Sequence, residues 1–385
     1  MAALSLRDPD RDYRAGWIEL LFDLAFVVAL GATTHTLVGV AMPDGLVQFF
    51  VLFLLFTWSW TTFTFFVGVF DGAENWHFFA FAQMAVVLVL ATFHDLYGQD
   101  YTAFVIGYSG LRLTGVLMFL IAWRTVPDAR HYSTVQILGI TLALVPMWCG
   151  LGSQSPELRE GLLLTTALLQ VCISPIAFWS DRNVAFNTTH SPERVGLFIT
   201  LAFGECFLSV ARVGEHAGPI TFTMISHALA AVLVIFSLWR LYFSMLATIE
   251  FAGRQSRAIL WMLLHLPLVM CILGLATGLE RNLLFLNDGG AVASDRLLVA
   301  WGVAVLVVVS LGLFWRGGPV NIRAVVWRAM AAVFGATSVA APLLGVSLTP
   351  EQVSYGLGVA SVLVMFLNPA MRPWGFDTFP TDNRL

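Results

Sequence analysis

Two acidic residues interrupt an apolar stretch near the start of the chain. Glu19 and Asp23 are four residues apart in WIELLFDLAFVVAL, residues 17–30, so they share one face of a helix. Carboxylic acids in an apolar environment act as general acids near neutral pH or as steps of a proton relay. Glu19 also fits an interfacial acid that complements a helix N-terminus, whereas Asp23 lies one turn deeper. We therefore predict a catalytic role for both residues, with Asp23 as the stronger candidate.

A second group of ionisable side chains lies in HSPERVGLFITLAFGE, residues 190–205. Glu205 follows Arg194 by eleven residues, which is about 16 Å along a helix and predicts a position near mid-membrane. Glu193 fits a first-turn acid of a helix as well as it fits a functional group. We predict that Glu205 is catalytic and that His190, Glu193 and Arg194 bind the substrate.

Later helical segments contribute a histidine and two arginines. His265 precedes Pro267, whose missing N–H leaves a backbone carbonyl open to other partners. We predict that His265 is catalytic; the alternative is a histidine bonded to that loosened backbone. Arg112 and Arg240 fall inside apolar segments, where a charge is costly and usually faces the bundle interior. We expect one of them to hold a carboxylate ionised, unless each merely forms an ion pair that fixes packing.

Aromatic side chains are abundant, with 31 Phe and 13 Trp, and they alternate with hydroxyls in FTWSWTTFTFF, residues 56–66. Ordinary packing explains most of them. The alternative is an aromatic-walled cavity that holds an apolar or cationic ligand. Candidates for that wall are Trp58, Trp60, Trp239 and Tyr242.

Motifs for metal and cofactor chemistry are missing from the sequence. HExxH, Walker A, GxSxG and GxGxxG do not occur, and no aspartate-rich motif is present to hold Mg²⁺ on a diphosphate. All 20 basic residues are arginine, so lysine Schiff-base chemistry and a retinal-type photoreceptor are excluded. We predict no metal and no cofactor.

The composition places these residues in a membrane protein. The chain is 58% hydrophobic and only 11% charged, and its mean hydropathy is +0.81. Soluble proteins carry about 25% charged residues. The net charge of −4 and the lack of a polybasic tail argue against a nucleic-acid partner.

About twelve stretches are long and apolar enough to span a bilayer. Most arginines fall on one side of these stretches, which predicts that this side is cytoplasmic. The sequence thus predicts an all-α polytopic transmembrane helix bundle of about 12 spans in the inner membrane, with both termini cytoplasmic. The segments are 17–40, 45–70, 77–97, 101–123, 132–151, 160–179, 194–213, 221–247, 258–279, 292–315, 324–346 and 352–368.

The expected domain organisation is simple. Residues 1–15 form a cytoplasmic arm, residues 16–370 a single transmembrane domain, and residues 371–385 a cytoplasmic tail. Two six-span halves, 16–180 and 190–370, are possible within the transmembrane domain.

Three motifs, in this order, resemble the bacterial low-temperature-requirement A family of integral membrane proteins. They are ELLFDLAFV from Glu19, the 190–205 stretch and HLPLVM from His265, and the similarity spans about residues 15–370. Cys206 departs from the serine that the family tends to have after Gly-Glu, which puts a ligand contact by that hydroxyl in doubt. The resemblance implies a membrane fold and a set of site residues but no reaction. Those residues are Glu19, Asp23, His190, Glu193, Arg194, Glu205 and His265.

Two functions stay open. The first interpretation is a metal-independent intramembrane general-acid enzyme, terpene-cyclase-like, that isomerises or cyclises an isoprenoid or similar lipophilic substrate. In it Asp23 or Glu205 donates the proton and His265 orients it. The alternative is a proton-coupled secondary transporter of a small solute, because intramembrane acids and about twelve spans are typical of such carriers. A scaffold with buried ion pairs is disfavoured by the number of acids and bases. Expected partners are bilayer lipids and the substrate or solute.

Overall fold

The protein is almost entirely helical. The computed structural model describes residues 4–8, 15–34, 36–39, 44–72, 76–93, 95–181, 183–185, 190–216, 221–246, 255–284, 291–314, 322–346 and 348–366. Helices α1 to α14 are, in order, Trp17–Thr33, Thr36–Gly39, Asp44–Val69, His77–Leu90, Tyr101–Thr125, Arg130–Ala143, Val145–Cys149, Pro156–Ser180, His190–His216, Phe222–Leu246, Gln255–Leu284, Ala291–Phe314, Ile322–Leu343 and Pro350–Phe366. Strands β1, Ser5–Leu6, and β2, Phe70–Asp71, pair antiparallel and attach the N-terminal segment to the end of α3.

Seven helical segments of the described chain are long and apolar enough to cross a membrane, which supports the expected all-α membrane bundle. They are Gly45–Val69, Tyr101–Thr125, Pro127–Gly152, Pro156–Ser180, Ser191–Gly214, Phe222–Ser244 and Ser256–Leu284. Three shorter apolar helices, His77–Leu90, Arg296–Leu311 and Arg328–Leu343, accompany them. The span count of about 12 and the cytoplasmic termini stay predictions.

The chain divides into two compact units. The first consists of Met1–Ala211 and Phe251–Thr277, and the second of Arg212–Glu250 and Gly278–Leu385. This division differs from the two six-span halves, which also stay a prediction. In the second unit, α12 packs on α13 and α10 packs on α14.

Helix α3 is the central element of the first unit. It packs against α1, α5 and α8, and 94% of its most apolar stretch is buried inside the protein. A helix that is apolar all round is suited to such a position. Several of its hydroxyl side chains donate to carbonyls of α3 itself, and Trp60, Ser59 and Thr62 also bond side chains on the surrounding helices, in the interior sites described below.

Helix α1 begins with a cap that its own sequence provides. The Gly16 backbone N–H donates to Glu19 Oε1 at 3.1 Å, which is one half of a capping box. This bond satisfies a donor at the helix start and fixes the Glu19 side chain against the first turn. Its second carboxylate oxygen, Oε2, is then directed toward a neighbouring helix.

Candidate functional site

A buried arginine joins the two acids of α1 to α9. Arg194 Nη1 lies 3.2 Å from Glu19 Oε2, and Arg194 Nη2 donates to Asp23 Oδ1. The side chains of Arg194 and Asp23 are 0% exposed and that of Glu19 is 1% exposed. Because a charge without a partner is very costly in such surroundings, these contacts determine how α1 and α9 pack. We call Glu19, Asp23 and Arg194 the acid–arginine cluster.

The two oxygens of Asp23 differ. Oδ1 accepts from Arg194 and also from the Trp60 indole Nε1 of α3, at 2.6 Å. Oδ2 is buried and has no hydrogen-bond partner among the residues that the structure describes. A buried carboxylate oxygen without a donor is an uncommon feature and is the atom of this cluster at which a proton can bind.

Aromatic rings enclose the cluster. The Arg194 guanidinium carbon lies 6.0 Å from the Phe22 ring centroid and 5.7 Å from that of Trp60. Phe22 stacks on Phe63 of α3 with centroids 4.2 Å apart, and Trp60 contacts Phe198 of α9 at 4.2 Å. These rings add cation–π attraction and lower the local dielectric, which strengthens the ion pairs.

Glu205 reaches the far end of α1. A Cβ atom placed on Gly31 would lie 2.7 Å from Glu205 Cδ, so the carboxyl group packs where only a glycine leaves room. Glu205 is 6% exposed. Asp23 precedes Gly31 by eight residues and Arg194 precedes Glu205 by eleven, so α1 and α9 run parallel. Glu205 therefore lies about 12–16 Å from the acid–arginine cluster along the helix axes.

His265 and two tryptophans line a separate small cavity. Its volume is about 20 Å³, and its walls include Trp58, Trp60, Phe198 and His265. That volume is room for a small particle such as a water molecule and not for a lipid-sized ligand. The His265 Nδ1 atom donates to the Trp261 carbonyl at 2.7 Å, which in a neutral imidazole makes Nε2 the acceptor.

Arg112 does not contact the acids, in contrast to the expectation from the sequence. It lies on α5, is 3% exposed, and bonds the hydroxyls of Ser59 and Thr62 on α3 at 3.2–3.4 Å. Arg194 takes the role that we expected of Arg112 or Arg240, because α9 rather than α5 packs on the acidic face of α1.

The other predicted residues lie elsewhere. Glu193 is exposed in the first turn of α9, and the His190 side chain lies outside the described residues. Trp239, Arg240 and Tyr242 lie on α10 in the second unit, where Trp239 stacks on Phe236 and Tyr242 is buried. Within the described chain, no three His, Cys, Asp or Glu side chains cluster closely enough to hold a metal ion.

Sequence reasoning missed three contributors to the interior. Gly31 makes room for Glu205, and the Ser59 and Thr62 hydroxyls accept from Arg112. A glycine inside an apolar helix is a signal of close packing, and this signal could have identified Gly31. No comparable signal singled out the two hydroxyls, because α3 carries many Ser and Thr side chains.

The fold and the cluster define an integral membrane helical protein with buried ionisable side chains in its core. The family model "Bacterial low temperature requirement A protein (LtrA)" matches residues 14–368, so the chain belongs to this family. It is similar to the uncharacterised protein RA0937 of Rhizobium meliloti (strain 1021), with 24% identity over 214 residues. That match covers 52% of this chain and 51% of the relative, so the chain spans about half the length of the curated relative it matches. No solved structure matches.

Replacing the arginine tests the cluster. Arg194→Gln leaves the buried carboxylates without their guanidinium, and breaking a buried pair in this way costs about 3–5 kcal/mol. We expect a large fall in the unfolding temperature of the detergent-purified protein. The triple variant Glu19→Gln, Asp23→Asn, Arg194→Gln removes all three charges and should recover most of the loss. Equal unfolding temperatures for Arg194→Gln and the unmodified protein would contradict the assigned ion pairs.

The contact between Gly31 and Glu205 is testable by a double-mutant cycle. Gly31→Ala places a methyl group against the end of the Glu205 side chain, which must move to admit it, at a cost of up to about 1–3 kcal/mol. In a Glu205→Ala background the space is free, so the two changes should couple by about 0.5 kcal/mol or more in unfolding free energy. Gly204→Ala, which meets nothing within 4 Å, is the control. Additive effects would show that the two residues do not touch.

Proposed function

We propose that this protein is a proton-coupled secondary transporter of a small solute and that Asp23 is its proton-binding group. The observation that carries the proposal is the buried Asp23 Oδ2 atom, which lacks a hydrogen-bond partner in the described chain while Oδ1 has two donors. A carboxylate placed in this way can accept a proton, and the proton then competes with the Arg194 guanidinium for the negative charge of Asp23. Exchange between the two is a typical device of proton-driven carriers.

Protonation would then change how two helices are joined. With Asp23 ionised, Arg194 of α9 binds α1 through both Asp23 and Glu19. With Asp23 neutral, the bond to Asp23 loses its charge and much of its strength, because charge-assisted bonds are about twice as strong as neutral ones. A proton thus weakens the α1–α9 contact, which is what coupling of proton binding to helix movement requires.

The distribution of the acids also supports transport over catalysis. Catalytic groups must converge within hydrogen-bond distance of one reacting atom. Here the cluster and Glu205 are separated by about 16 Å along α9. Arg194 lies near the start of the apolar segment Ser191–Gly214, and Glu205 lies just past its middle. A line of ionisable groups along the membrane normal suits a proton path.

The intramembrane general-acid enzyme is the second candidate, and the aromatic cavity beside His265 favours it. Trp58, Trp60 and Phe198 form walls that would stabilise a developing cation. The cavity of about 20 Å³ would have to open considerably to admit an isoprenoid. We therefore prefer the transporter, because it does not require this cavity to open.

Proteoliposomes distinguish the two candidates. The purified protein is reconstituted with a pH-sensitive dye inside the vesicles, and gradients of amino acids, organic acids, sugars or quaternary ammonium ions are imposed in turn. We expect at least one solute gradient to drive a pH change. Asp23→Asn should slow this change by about tenfold or more, equivalent to about 1.4 kcal/mol, because an amide does not take up the proton. The exposed Asp128→Asn is the matched control and should behave as the unmodified protein.

The opposite outcome is equally specific. If no solute drives a pH change, and incubation with isoprenoids yields isomeric products by mass spectrometry that Asp23→Asn does not form, the transporter proposal fails and the enzyme is supported. Solute uptake that proceeds equally fast in Asp23→Asn and without a pH change would also contradict proton coupling at Asp23.

A further inference from the structure

Arg112 is a buried cation whose charge the described protein does not balance. The residue is 3% exposed, and no described carboxylate lies within ion-pair distance of it. Its bonds go to Ser59 and Thr62, both neutral, and its Nε atom has no partner. A guanidinium does not deprotonate in proteins, so it cannot escape the cost of burial by losing its charge.

The hydroxyls around Arg112 already use their hydrogens. Ser59 donates to the Leu55 carbonyl at 2.9 Å, and Thr62 donates to the Trp58 carbonyl at 2.8 Å. Both therefore present only lone pairs to the guanidinium. They orient Arg112 through weak neutral bonds and do not supply the negative charge that it needs.

A second donor faces the same small cavity. Gln83 of α4 and Arg112 of α5 both line a space of about 10 Å³, together with Gly115, Met118 and Phe119. The Gln83 amide Nε2 donates only to the Met118 sulfur, at 3.6 Å, and a thioether is a weak acceptor. Arg112 and Gln83 thus line one small space, and both donate only to neutral acceptors.

We propose that Arg112 and Gln83 form a binding site for a small monovalent inorganic anion of halide size, such as chloride. The anion supplies the missing countercharge and accepts from the guanidinium and the amide. The volume of about 10 Å³ is room for a single small particle and is too small for a carboxylate or phosphate. This inference does not depend on the proposed transport function.

The site is distinct from the acid–arginine cluster. Trp60, which bonds Asp23, lies about 100° around α3 from Ser59 and about 160° from Thr62. The central helix therefore separates the anion site from the cluster.

Halide-dependent stability tests this site. The unfolding temperature of the detergent-purified protein is measured while chloride or bromide replaces gluconate at constant ionic strength. A ligand that binds the folded state raises stability with its concentration. We expect a rise that saturates with either halide and does not occur with acetate. Arg112→Gln should abolish the halide dependence, whereas the exposed Arg124→Gln on the same helix should keep it.

A second variant covers the case in which Arg112→Gln does not fold. Gln83→Met retains the charge and removes the amide, so it should weaken halide affinity by about tenfold, or about 1.4 kcal/mol. An unfolding temperature of the unmodified protein that does not change with halide would overturn the proposal and leave water as the occupant. An equal response to acetate would assign the site to organic carboxylates and would overturn the halide assignment.

Discussion

The ion pairs of Arg194 determine the interior of the first unit. Glu19 and Asp23 are buried in an apolar interior where an unpaired charge is costly, and the Arg194 guanidinium of α9 supplies their countercharge. Glu19 also accepts a hydrogen bond from the Gly16 backbone N–H, and Asp23 Oδ1 also accepts one from the Trp60 indole N–H. Because α1 and α9 run parallel, the same interface that closes the ion pairs also brings Glu205 against Gly31. One electrostatic requirement thus fixes the register of two helices over much of their length.

Helix α3 connects this interface to the rest of the unit. Its apolar surface packs against α1, α5 and α8, while its polar side chains serve separate partners on different faces. Trp60 donates to Asp23 on one face, and Ser59 and Thr62 accept from Arg112 on another. Serine and threonine hydroxyls on a buried helix can bond their own backbone, so they cost little when placed in the interior. This is why a nearly all-apolar central helix can support two charged environments.

The helical membrane fold could be predicted from the sequence because a helix that spans a bilayer needs about 20 mostly apolar residues, and such stretches are easily recognised. The burial of Asp23, Glu205 and Arg112 could also be predicted, since a charge inside an apolar segment usually faces the interior. Which partner it finds could not. Arg194 looked like a boundary residue of its segment, yet it binds the α1 acids, and Arg112 binds hydroxyls. Pairing depends on which helices pack together and in which register, and spacing along one helix carries no such information.

We infer that Asp23, held at one oxygen by Arg194 and Trp60, takes up a proton at the other. Infrared difference spectroscopy of the purified protein across a pH titration measures this directly. The account predicts a carboxylic-acid carbonyl band that grows as the pH falls, disappears in Asp23→Asn and shifts in frequency in Trp60→Phe, which loses the indole donor. A band that Asp23→Asn leaves unchanged would contradict the account and assign the proton to another group.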